Sequence, residues 1–204
     1  MMLTSILALL PIALAAAANP LLVRDDGPNC EVFGENGFAQ VGAFQLAAVN
    51  TTLPNANSTG VPLSRSTTGA SGGGSSSSLS TFQSYPFAGS IANLTLDNGA
   101  LLPLPVGITN TSNSRLQKGD ALSWVTSSRG VLPPTRVWCG VNNADETGLP
   151  LLAVNGDIDG WNLCLVGRWE NALNSLVWYP SSEGNPPYVV ESCYPVRLHM
   201  LLNN

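Results

Sequence analysis

The sequence predicts an all-β fold, a single antiparallel β-sandwich or barrel-like domain, and three observations lead there. No long stretch spaces its apolar residues at three and four, as an amphipathic helix requires. Short apolar runs recur instead between clusters of Gly, Pro, Asn and Asp, the punctuation of strands joined by turns. Four widely spaced cysteines follow an export-type N-terminus, which suits a small domain stapled by disulfides. The length of 204 residues fits one domain.

The elements follow in chain order. Residues 6–14 are apolar, and Ala15, Ala16, Ala17 and Ala18 supply the small residues a signal peptidase needs. A membrane-spanning helix takes about 20 apolar residues. This run is shorter, is broken by Pro11 and meets Arg24, Asp25 and Asp26, so residues 1–18 read as a signal peptide and residues 19–204 as one secreted β domain. Residues 37–49 read as the first strand. Residues 50–84 then turn to Ser, Thr, Gly, Asn and Pro, a composition that buries too little apolar area to offset ordering entropy, and read as a flexible insertion. Order is expected to resume at residues 82–87. Residues 91–96 and 100–104 flank Asn98-Gly99, a hairpin signal because both turn residues need positive φ. A second hairpin is expected between residues 151–154 and 161–166 around Asn155-Gly156. A third is expected between residues 173–179 and 193–200.

Charge narrows the partners. Thirteen acidic residues face eight basic ones, the net charge is -5 and Lys118 is the single lysine. Nucleic acid and anionic membranes both demand a concentrated cationic face, so neither is expected as a partner. The cysteines lack the close spacing that delivers two thiolates to zinc from one turn, so no metal or other cofactor is expected. Two disulfides remain. Of the three pairings of Cys30, Cys139, Cys164 and Cys193, the favoured one joins Cys139 to Cys164 and Cys30 to Cys193. The second bond would tie the start of the mature domain to its last strands, contributing about 4 to 5 kcal/mol in the chain-entropy picture.

Four N-x-S/T sequons begin at Asn50, Asn57, Asn93 and Asn110, candidate N-glycosylation sites in an exported chain. Asn50 and Asn57 flank the insertion, whereas Asn93 falls in a predicted strand. Gly69-Ala70-Ser71-Gly72-Gly73 matches the nucleophile-elbow pattern. That chemistry needs a strained strand-to-helix turn and a base; the one histidine, His199, belongs to the predicted last strand, so no catalytic residue is assigned. Asp157 and Asp159 sit two apart in a turn, as calcium loops and carboxylate pairs do, yet no closing Glu follows and hairpin chemistry accounts for them. Of the five tryptophans, Trp161 and Trp169 stand near loop edges and are the candidate carbohydrate contacts, set against plain core packing.

The order of motifs resembles small secreted fungal cell-wall proteins of the phialide type and the related IgE-binding allergen-like proteins. The features concerned are the strand of residues 37–49, the turn at Asp97-Asn98-Gly99, the run Leu152-Ala153-Val154-Asn155-Gly156 before Trp161-Asn162-Leu163-Cys164, and Cys193-Tyr194-Pro195-Val196. The chain departs from these families in its Ser/Gly-rich stretch and in the residues before Cys164. The resemblance implies a β-sandwich-like domain at or beyond the cell wall, without catalytic residues to transfer. The expected function is therefore a noncatalytic secreted or cell-wall-associated protein, disulfide-stabilised and glycosylated, with cell-wall polysaccharide as the candidate partner. A carbohydrate-binding module and a secreted hydrolase are the alternatives.

Overall fold

The structure is a computed structural model that describes residues 29–71, 73–86, 91–104, 110–113, 116–127, 130, 133–167 and 172–203; the side chains of residues 70–71 and 110–113 fall outside that description. The predicted signal peptide and Trp169 lie outside the described residues. A 3-10 segment, Cys30–Asn36, precedes thirteen strands: β1 Gly37–Phe38, β2 Val41–Asn50, β3 Val61–Ser71, β4 Gly74–Thr81, β5 Asn93–Asp97, β6 Ala100–Pro103, β7 Asn110–Asn113, β8 Ser123–Ser127, β9 Trp138–Val141, β10 Leu151–Val154, β11 Trp161–Val166, β12 Leu173–Trp178 and β13 Tyr188–Leu202. Every pairing between them is antiparallel. The all-β class stands.

Six strands close on themselves in the order β13-β11-β12-β4-β3-β2, with β2 returning to β13. Closure removes the bare edges that an open sheet presents. The corner is made by β13: Tyr188 to Pro195 pair with β11, and Val196 to Leu202 pair with β2 from Asn50 to Phe44. Strands β10, β9 and β1 extend the ladder beyond the second half of β13, β5 and β6 extend it beyond β2, and β8 and β7 flank β4. Alternation sends one side of each strand inward. Phe44, Leu46, Leu94, Trp138, Leu152, Leu198 and Met200 meet Leu63, Leu79, Trp124, Trp161, Leu163 and Leu176 in the main core.

The Asn98-Gly99 hairpin forms as expected, with φ of 47° and 77° and β5 paired to β6. The other two hairpins do not. Asn155-Gly156 makes a tight turn, φ 53° and 79°, but it closes only a bridge between Val154 and Asp157. Strand β10 pairs with β9 and β13, while β11 crosses to β12. Likewise β12 and β13 are separated by β11, which pairs with both. A turn signal fixes the bend; it does not choose the neighbour.

The predicted flexible insertion of residues 50–84 is corrected by two strands, β3 and β4, which form a hairpin from Leu63↔Thr81 to Ser71↔Gly74. Leu63 and Leu79 carry its apolar side into the core. On the other side Ser66 Oγ lies 3.2 Å from Ser78 Oγ and 3.1 Å from Ser80 Oγ, and Ser80 Oγ lies 3.0 Å from Ser175 Oγ on β12. A hydroxyl both donates and accepts, so a row of small serines satisfies itself while buried. Composition alone did not reveal that pairing.

Candidate functional site

Both disulfides form, with partners other than those expected: Cys30 bonds Cys139 and Cys164 bonds Cys193. Alternation explains the correction. Trp138 and Leu163 point into the core, so Cys139 and Cys164 point out of it, each into a separate cluster on the outer side of its own sheet. Sulfurs facing away from each other across a core cannot bond. Cys139 instead pins the 3-10 segment, whose Phe33 packs with Val141, Ala153 and Ile158. Cys164 bonds Cys193 across the irregularity where β11 meets β13.

Trp161 is 0% exposed, so it is corrected from a carbohydrate contact to a core residue. It stacks on Trp138 at 5.8 Å between ring centroids and receives the edge of Trp178 at 4.8 Å. The series continues to Tyr179, whose ring meets Trp178 edge-on at 4.9 Å and is 37% exposed. A line of aromatic rings thus runs from the core to the surface and ends in a tyrosine that sequence reasoning did not single out.

Tyr179 borders a cleft of about 520 Å³ lined also by Lys118, Asp120, Glu183, Pro186 and Tyr188. Three segments build it. Gly119 N–H donates to Trp178 O at 2.6 Å and Trp178 N–H to Asp120 O at 2.8 Å, laying residues 118–120 along the end of β12. Tyr179 N–H donates to Gly160 O at 2.8 Å, bringing in the turn of residues 157–160. Tyr188 Oη accepts from Ser181 N–H at 2.9 Å and lies 3.2 Å from Ser181 O, to which it donates, closing the loop between β12 and β13.

The ring is held from several sides. Its hydroxyl donates to Asp157 Oδ2, and Lys118 Nζ stands 4.8 Å from the ring centre. The hydrogen bond to the Asp157 carboxylate, aided by burial, keeps the phenol above its ordinary value and therefore a donor. Gly160 leaves room for it: a Cβ there would come within 2.5 Å of Tyr179 Cε2 and 2.6 Å of Trp178 Cη2. Tyr179 has φ of 42°, a left-handed conformation that a bulky residue adopts only when its surroundings impose it. A fixed aromatic ring, proline rings and exposed carboxylates thus share one cleft.

Asp157 and Asp159 are accounted for here as turn and anchoring groups. Asp157 Oδ1 accepts from Asp159 N–H at 2.8 Å, and Asp159 Oδ1 lies 2.6 Å from Arg197 Nε. Among the described residues no three His, Cys, Asp or Glu side chains converge as a metal set would. The elbow-like Ser71 stands at a strand-to-strand turn, paired with Gly74, not at the start of a helix. His199 lies on β13 as expected and is 0% exposed. Its Nδ1 is 3.2 Å from Thr59 O and its Nε2 is 2.7 Å from Asp145 Oδ2. Nothing in that pocket reaches solvent through the imidazole. A second recess, about 360 Å³ between β2 and β5–β6, has no aromatic residue among those lining it.

Among the sequons, Asn57 is exposed in the β2–β3 connection, Asn50 is half-buried at the end of β2 where it pairs with Val196, and Asn93 is exposed on β5. Asn110 starts β7, and its side chain is outside the described residues. No helix of the described residues is long and apolar enough to cross a membrane. Comparison with protein-family models, with curated proteins and with solved structures returns no match for this chain.

Proposed function

We propose that the protein is a noncatalytic, exported glycoprotein that acts in or beyond the cell wall as a disulfide-stabilised β-barrel. One observation carries this reading: all four cysteines are bonded, in two disulfides, and no cysteine is free. Such bonds persist in oxidising compartments and are rare where glutathione keeps thiols reduced. The apolar N-terminus and the motifs resembling secreted fungal wall proteins support the same reading. The test is expression of the full chain in a eukaryotic secretory host, followed by N-terminal sequencing and thiol alkylation of the product. Recovery from the medium, beginning at Asn19 and without alkylated cysteines, is expected. An intracellular product with its first residues intact and free thiols would refute export.

A second reading, a carbohydrate-binding module, is favoured by the exposed ring of Tyr179 on the cleft wall. The net negative charge points it toward neutral or amino sugars and away from acidic glycans. Insoluble β-glucan and chitin should retain the mature protein, and Tyr179→Ala should lower the apparent affinity about tenfold, the order of about 1.4 kcal/mol from one lost stacking contact. Equal retention of the variant would remove the cleft from the account.

A further inference from the structure

We propose that Asn50 and Asn57 carry N-linked glycans while Asn93, an equally valid sequon, stays bare; the inference rests on the export reading and names the sites it leaves open. The two occupied sequons share one geometry. Asn50 Oδ1 accepts from Thr52 N–H at 2.8 Å, Thr52 Oγ1 at 3.0 Å and Leu53 N–H at 2.8 Å. Asn57 Oδ1 accepts from Thr59 N–H at 3.1 Å, Thr59 Oγ1 at 3.0 Å and Gly60 N–H at 2.7 Å. Each is an Asx turn in which the hydroxyl two residues on touches the asparagine side chain. Among the described residues no hydrogen bond engages Nδ2 of either asparagine, so the nitrogen that must attack is presented on a bent segment beside the hydroxyl that the transferase recognises.

Asn93 differs in what its side-chain oxygen and its sequon hydroxyl touch. It lies on β5 between β2 and β6, and its carbonyl accepts from Leu104 N–H at 2.8 Å. Its Oδ1 accepts from Gln45 Nε2 at 3.1 Å, and Thr95 Oγ1 donates to Val41 O at 3.0 Å, so amide and hydroxyl are turned to different partners. Timing reinforces the contrast. The Asx turns need only contacts two and three residues apart and form on the emerging chain. The β5–β6 hairpin, nucleated by Asn98-Gly99, is also local and fixes the backbone of Asn93 as extended strand within microseconds, far ahead of glycan transfer on a chain made at about 5–20 residues per second.

The transfer joins Asn Nδ2 to C1 of the first sugar of a lipid-linked oligosaccharide. The C1–O bond to the lipid diphosphate breaks, the diphosphate leaves with the bonding pair, and a base takes the amide proton. The full chain is expressed in a eukaryotic secretory host, and site occupancy is read by mass spectrometry after enzymatic release of glycans in heavy-oxygen water. Asn50 and Asn57 should be labelled and Asn93 not. Asn50→Gln and Asn57→Gln should each remove one step of the gel-mobility shift, and Asn93→Gln none. Gly99→Val, which spoils the hairpin turn, should raise occupancy of Asn93 in total cell material even if the variant is retained. An exported protein labelled at Asn93, or bare at Asn50 or Asn57, would overturn the proposal and leave export intact. A chain bare at every sequon and absent from the medium would overturn both. Unchanged Asn93 occupancy in Gly99→Val would overturn the hairpin account.

Discussion

His199 shows how one buried polar residue links parts of the molecule far apart in sequence. It sits on β13 between Ala47 and Leu151, and it reaches Thr59 in the β2–β3 connection and Asp145 in the β9–β10 connection. Both partners belong to connections outside β13, so the buried imidazole ties the two loops to the strand. Burial alone would raise the Asp145 carboxyl. Hydrogen bonds from Thr147 and His199 together outweigh it and hold the group below the ordinary carboxylate value. A folded value below the unfolded one means stability that is complete above the unfolded value of about 3.9 and lost as pH falls through the folded value. The melting temperature should therefore decline as pH drops below about 4. Asp145→Asn should already be destabilised at neutral pH by about 1.5–3 kcal/mol, the range for a hydrogen bond to a charged group, and should show a shallower acid decline. Thermal melts of both proteins between neutral and strongly acid pH check this; equal acid slopes would mean that other carboxylates govern the decline.

Among the elements, the β3–β4 hairpin marks where composition misleads. Its residues are those of a linker, and an average over Ser, Thr and Gly conceals two facts: Leu63 and Leu79 are placed to enter the core, and Ser64, Ser66, Ser78 and Ser80 recur at every second position. The unbroken run from Ser75 to Ser78 hides that alternation, and its meaning depends on Ser175, which lies 95 residues beyond Ser80. The Asn98-Gly99 turn was readable because its determinants are adjacent. The partner of β11 was not, since β12 and β13 compete for it through residues dispersed along the chain. Ser80, bridging Ser66 and Ser175, tests the ladder. Ser80→Ala should cost about 1–3 kcal/mol by leaving buried hydroxyls short of a partner, whereas replacing Ser66, Ser80 and Ser175 together should cost less than the sum of the single changes. Urea denaturation of the unaltered protein, the three single variants and the triple variant decides it, and strict additivity would show that the hydroxyls act independently.

Across the whole molecule, the two disulfides act at different places, one on the flank of the barrel and one at its corner. The class and the disulfide count followed from the sequence, but the pairing required knowing which sheet each strand joins. The Tyr179 cleft required still more, because Lys118, Asp157, Gly160 and Tyr179 meet only once β11 and residues 118–120 have paired with β12. Cys30–Cys139 encloses a sequence separation of 109 residues and fastens the 3-10 segment outside β9 and β10. Cys164–Cys193 encloses 29 and fastens β11 to β13 at the barrel corner. If each acts by restricting the unfolded chain, the longer loop contributes about 5 kcal/mol and the shorter about 3.5 kcal/mol. Cys30→Ser with Cys139→Ser should then lower stability more than Cys164→Ser with Cys193→Ser, and it should expose the patch around Phe33 and Val141 to a hydrophobic dye without opening the barrel. Cys164→Ser with Cys193→Ser should leave that patch covered but speed hydrogen exchange along β11 and the first half of β13. The opposite order of stabilities would place the main effect of these bonds in the native barrel corner and not in the unfolded chain.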